Sequence, residues 1–123
     1  MTEKVKDYRD LKVWQRAMDL VPVAYRLARS LPRHEQFSLA DQIRRSAVSV
    51  PANVAEGQAR KHTREFLQHL SIARGSLAEL HTLMLVAERL QYLTREELDT
   101  IEQVIVDVRM PLSGLMNRLQ VGA

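Results

Sequence analysis

The segment from Ser38 to Gly57, SLADQIRRSAVSVPANVAEG, constrains the fold of this chain more than any other. Ser38, with Asp41 three residues on, resembles a capping box with Asp in place of Glu, so a helix starts here. Leu39, Ile43, Ala47, Val50 and Val54 recur at steps of three and four and form one apolar stripe. Pro51 falls inside that run, where it removes a backbone donor and bends the axis. Asn53 and Glu56 then bring polar groups close to Gly57, which is placed to end the helix as its C′ residue. A surface helix has no need of this combination, so the pattern predicts a kinked helix of about 39–56 packed among others.

The rest of the chain repeats the pattern. A first helix is predicted over about 11–30, with Asp10 as N-cap and Leu11, Trp14, Met18, Val21, Tyr25 and Ala28 on its apolar face. Pro22 kinks it and Leu31-Pro32 ends it. A third helix runs over about 64–93 with Thr63 as cap, roughly 45 Å long at 1.5 Å per residue. Phe66/Leu67, Leu70, Ala73, Leu77, Leu80, Met84, Ala87 and Leu90 form its stripe. Gly75 in its middle costs about 1 kcal/mol relative to alanine, which a close helix–helix approach offsets. Thr94 and Glu97 form a T-x-x-E capping box that starts a fourth helix over about 95–119. Leu98, Ile101, Val104/Ile105, Val108, Leu112, Leu115 and Leu119 turn inward there, and Pro111 bends the helix.

No window alternates long enough for a strand. Long amphipathic helices with short connections predict an all-α, antiparallel, up-down-up-down, left-handed four-helix bundle with proline-kinked helices, one domain over residues 1–123. The absence of cysteine removes disulfides, thiolate chemistry and Cys-based zinc sites. Met1 to Asp10 is polar with no apolar h-region, and no run suggests a membrane span, so a cytoplasmic location is expected. The net charge of +3 is uneven: residues 1–32 and 33–75 each carry seven basic and four acidic side chains, whereas residues 76–123 carry four and seven. A basic front and an acidic back suggest surfaces with different partners, although solvated helix faces also differ by chance.

Two groups of polar residues stand out. Arg45, Ser49, Asn53, Glu56 and Arg60 share one face of the second helix. Ser49, Asn53 and Glu56 read best as part of a structural polar ladder with Arg74 and Ser76 of the third helix, in which Glu56 or Asn53 pairs with Arg74 or Ser76 and fixes register; a binding surface is the alternative. The cations Lys12, Arg16, Arg44, Arg45, Arg60, Lys61 and Arg64 are candidates to meet phosphates, with Arg60, Lys61 and Arg64 clustered at one turn. No aromatic interleaves them, so stacking on bases is not signalled. Trp14 and Tyr25 fit core packing, and Tyr8, Phe37 and Tyr92 the ends of the bundle, with a place at a subunit interface as the alternative for any of them. No metal is expected: Glu-x-x-His is missing, and His62, Glu65 and His69 are loosely spaced. His34 and His81 have no legible partner. Without a phosphate loop, nucleophile elbow or H-E-x-x-H, neither catalysis nor a cofactor is expected.

The segments LKVWQRAM (residues 11–18), SVPANVAEG (residues 49–57) and IARGSLAEL (residues 72–80) resemble the bacterial 23S ribosomal RNA intervening-sequence family, over roughly residues 8–120. The resemblance implies a small, cytosolic, non-catalytic helical bundle that assembles into a ring, with a pentamer as the known arrangement. It extends to the accessory variability protein of diversity-generating retroelements, which implies binding of RNA or DNA through the basic positions named above. The functional expectation is therefore a homo-oligomeric binder of nucleic-acid phosphates, with a protein-binding scaffold as the alternative.

Overall fold

The computed structural model describes residues 7–122. A 3-10 turn at Tyr8–Asp10 leads into α1 (Lys12–Arg29), and a second such turn, Arg33–Glu35, into α2 (Leu39–Ala59); α3 (Thr63–Arg89) and α4 (Arg95–Gly122) follow. The chain is an all-α bundle of four helices, with no strand among the described residues. α1 packs on α2 and α4, and α3 likewise packs on α2 and α4. Ser49 meets Ser76 while Asn53 meets His69, so α2 and α3 run in opposite directions. No helix among the described residues is long and apolar enough to cross a membrane.

All three predicted interior prolines, Pro22, Pro51 and Pro111, lie inside helices that continue through them. The core is aliphatic: Leu20, Ile43, Leu70, Leu80, Met84, Leu98, Ile101, Ile105 and Leu112 are among its largest fully buried side chains. On α1 the buried face differs from the predicted one by about one residue. Val13, Ala17, Leu20, Ala24 and Ala28 are buried, while Met18 is 44% and Tyr25 38% exposed. The alanines face the core because their small side chains let neighbouring helices come close, and the larger Trp14, Met18, Val21 and Tyr25 are left on the flank. Trp14 stacks at a tilt on Tyr8, with ring centroids 5.5 Å apart, and Phe37 stands in solvent.

Helix ends depart from expectation for local reasons. Asp10 does not cap α1; its carboxylate accepts from the Asp7 N–H, closing a capping box around the first 3-10 turn. Ser38 makes no capping bond, because its hydroxyl donates to Glu35 Oε1 at 2.7 Å. Thr63 is the first residue of α3 rather than its cap. The Thr94–Glu97 box is present in both directions, at 2.9 and 3.1 Å. α3 stops at Arg89 because Gln91 adopts φ 65, and the N–H groups of Gln91 and Tyr92 bond back to Glu88 and Ala87 as a Schellman pair.

Both glycine roles differ from the sequence reading. Gly57 is not a C′ residue; α2 continues to Ala59, and Lys61 (φ 63) makes the left-handed turn. A Cβ on Gly57 would lie 2.6 Å from His69 Cβ and 3.0 Å from the Phe66 ring, so Gly57 permits the close approach of α2 to α3. Gly75 is exposed, with nothing within 4 Å of such a Cβ. At the far end, Tyr92 Oη donates to Glu35 Oε2 at 2.9 Å, tying the α1–α2 connection to the α3–α4 turn. The Ser38 hydroxyl and then Tyr92 hold the Glu35 carboxyl below its ordinary range, and the same bond raises the Tyr92 phenol.

Gly57→Ala should therefore destabilise the protein by about 1–3 kcal/mol through overpacking, while Gly75→Ala should stabilise it by about 1 kcal/mol. Thermal unfolding of the two variants checks both; effects of the same sign would contradict this assignment. The Tyr92–Glu35 bond also carries a pH signature. Glu35 has a lowered folded-state pKa, so its contribution is present above the ordinary 4.5 and lost as pH falls through the folded value. Tyr92 has a raised one, so its contribution is present below the ordinary 10.0 and lost as pH rises through the folded value. The Tm difference between the wild type and Tyr92→Phe should be largest near neutral pH and shrink toward both extremes; a pH-independent difference would contradict the bond's role.

Candidate nucleic-acid interface

Five of the predicted cations separate into three settings, and Arg60 and Lys61 lie at the turn between α2 and α3. Lys12 and Arg16 leave the first turns of α1 and share a groove of about 440 Å³ with Asp107, Met110, Pro111 and Arg118 of α4. Arg64 lines a second groove, about 430 Å³, between α3 and α4, together with Arg74, Leu67 and Met116. Arg44 and Arg45 lie on a third, between α1 and α2.

These cations are not equally free. Arg44 is half-buried and donates to the Gln36 carbonyl oxygen at 2.7 Å and to Gln36 Oε1 at 3.3 Å, while Gln36 Nε2 donates to the carbonyls of Ala28 and Leu31. It closes the α1–α2 connection. Arg45 pairs with Asp41 at 3.0 Å and Arg60 with Glu56 at 3.3 Å, both exposed i,i+4 pairs of small energy. Arg9 is held by Asp7, whose carboxyl that bond lowers below its ordinary range. Lys12, Arg16, Arg64, Arg74 and Arg118 make no ion pair or side-chain hydrogen bond among the described residues.

Arg118 is a candidate that sequence reasoning missed. The C-terminal third is acidic only as far as Asp107; beyond it α4 carries Arg109 and Arg118 and no carboxylate side chain. Packing sets this acid-free end between Lys12 and Arg16 on one side and Arg64 and Arg74 on the other. The signal was present in the sequence as the position of the last acid, but the average over residues 76–123 concealed it.

The polar ladder forms between α2 and α3, with one member changed. The Ser49 and Ser76 hydroxyls lie 2.8 Å apart. Asn53 Nδ2 donates to the Ser49 carbonyl and hydroxyl at 2.9 and 3.0 Å. Its Oδ1, 3.1 Å from His69 Nδ1, then accepts from that nitrogen. Glu56 lies at the solvent end, 4.0 Å from His69 Nε2. Arg74 is not a rung; it faces the α3–α4 groove instead. His69 takes the place that the sequence reading gave to Arg74, and its seven-residue spacing from Ser76 was the available clue. His81, which the sequence left without a partner, bonds Glu102 of α4 at 2.7 Å. No buried side-chain polar atom among the described residues lacks a partner, and no group of three His, Cys, Asp or Glu gathers there to hold a metal.

The profile of the 23S rRNA-intervening sequence proteins matches residues 9–114. The chain belongs to this family. The fold is also that of a solved structure, a protein with unknown function from the S23 ribosomal protein family of Bacteroides thetaiotaomicron VPI-5482. That match has a TM-score of 0.78 at 23% identity and covers 85% of this chain and 97% of the other. No curated protein matches the chain. The family model and this solved structure agree on the fold and indicate no catalytic class.

Proposed function

We propose that this family member is a non-enzymatic binder of RNA or DNA phosphates that works as a homo-oligomer, in a ring of five. The observation that carries the binding part is the set of five cations without partners among the described residues, Lys12, Arg16, Arg64, Arg74 and Arg118, on either side of the acid-free end of α4. Guanidinium and ammonium groups that are not already neutralised can meet phosphates without first breaking a pair. Arg60 and Lys61, at the turn into α3, extend the surface, since an exposed i,i+4 pair such as Arg60–Glu56 exchanges partners at little cost; Arg45 lies apart from it, beside Tyr25 and Val48. Arg44 contributes through the α1–α2 connection it braces.

Assembly is supported by the flank of α1. Met18 and Tyr25, with Val48 of α2, expose apolar surface beside half-buried Trp14 and Val21. Covering such a face with another copy removes it from water. Assembly also multiplies a modest charge of +3 per chain.

A salt titration of binding to a structured RNA and to duplex DNA tests the reading, with the oligomer mass measured in the same buffer. Log affinity should fall linearly with log salt, at about 0.9 per phosphate contact on duplex DNA. Lys12→Glu, Arg16→Glu and Arg118→Glu together should weaken binding by more than about tenfold and flatten that slope. Unchanged binding by the triple variant would place the surface elsewhere. No binding by an intact oligomer at low salt would make a protein-binding scaffold the better account.

A further inference from the structure

The two grooves beside the end of α4 differ in chemistry. The α1–α4 groove contains a carboxylate, Asp107, whereas no acid lines the α3–α4 groove. The floor of the latter is apolar, made by half-buried Leu67 and buried Met116. Its walls carry the amides of Gln68 and Gln120 and the hydroxyl of Ser71, neutral groups that can donate to phosphate or sugar oxygens. Among the described residues Arg64 and Arg74 are its charged side chains, and neither has a partner there.

The spacing of those arginines restricts the ligand. They are ten residues apart on one helix, hence about 15 Å along its axis. A single phosphate cannot bridge that distance, but two phosphates of one chain can. A duplex is a stiff, convex cylinder, so it meets cations on helix ridges without reaching a recessed floor. An unpaired strand is narrow and pliable enough to lie between two packed helices. No aromatic side chain lines the groove, so the strand would be held by its phosphates and sugars, with little preference for sequence.

We propose that the α3–α4 groove is a lane for one unpaired strand of RNA or DNA, with backbone phosphates on Arg64 and Arg74 and sugars over Leu67 and Met116. The proposal rests on the phosphate-binding reading above and adds the form of nucleic acid and the groove that takes it. Duplex regions are left to the Lys12, Arg16 and Arg118 side.

The test uses the full chain, a labelled single-stranded oligo-dT or oligo-U, and a mixed-sequence duplex. Arg64→Gln with Arg74→Gln should weaken strand binding by at least about tenfold and lower its salt slope by about 0.7 for each arginine. Duplex affinity should change by less than about threefold. Arg26→Gln with Arg89→Gln removes the same charge from exposed positions outside the groove and should leave strand binding near the wild-type value. Equal losses on strand and duplex, or an equal loss from the Arg26/Arg89 variant, would overturn the lane while leaving phosphate binding intact. Failure of the wild type to bind either polymer at low salt would overturn both readings. Binding of anionic vesicles that the Arg64/Arg74 variant loses, with strand binding preserved, would assign the groove to lipid and overturn the lane.

Discussion

At Gly57 the backbone of α2 comes so near α3 that a single methyl group there would sit 2.6 Å from the His69 Cβ. That approach brings the Asn53–His69 and Ser49–Ser76 bonds into range along the same pair of helices. Steric fit and hydrogen bonding thus specify one register of α2 on α3. A slipped register would bring side chains against each other at Gly57 and leave partly buried amide and hydroxyl groups unpaired, each at a cost of about 1–3 kcal/mol. The rest of the bundle is built on this pair. It fixes the Arg60–Arg64 turn, and it sets which face of α3 meets α4 and which carries Arg64 and Arg74 outward.

Charge shows why local placement matters more than totals here. A net charge of +3 is a weak signal for a nucleic-acid partner. Carboxylates, however, are not spread evenly over the folded chain. Glu35 is held by Ser38 and Tyr92 at one end, and Glu102 by His81 along α4. The last turns of α4 have no carboxylate side chain, and five cations without partners among the described residues face the grooves on its two sides. The field in those grooves is therefore more positive than the composition indicates.

Much of the architecture was legible in the sequence. The four helices, their order and most of their boundaries followed from apolar periodicity, and Pro22, Pro51 and Pro111 were rightly placed inside helices. The errors have physical causes. Periodicity favoured the large residues Trp14, Met18 and Tyr25 on α1, but close packing selected the alanines one position away. The role of a glycine depends on what lies opposite it, which is why the close approach expected at Gly75 is found at Gly57. Caps depend on the direction from which the chain enters a helix, so Asp10, Ser38 and Thr63 failed where the reciprocal Thr94–Glu97 box succeeded. Among the site residues, the exposed cations were legible one by one, and so was the membership of Ser49, Asn53 and Ser76 in a polar ladder, though not which of them pair. The grouping of the cations was not legible, because each groove joins helices far apart in the chain. Arg118 was hidden by averaging charge over residues 76–123, His69 by its distance in the chain from Asn53, and the bracing of Arg44 by Gln36 in a connection.

If the α2–α3 pair is the foundation, it should also be the last part of the molecule to open. Native-state hydrogen exchange on the full chain measures this directly. Amides in residues 50–57 of α2 and 70–80 of α3 should be the slowest to exchange, with α1 and the ends of α4 opening at lower free energy. Greatest protection in α1 and α4, with α2 and α3 exchanging early, would contradict the account.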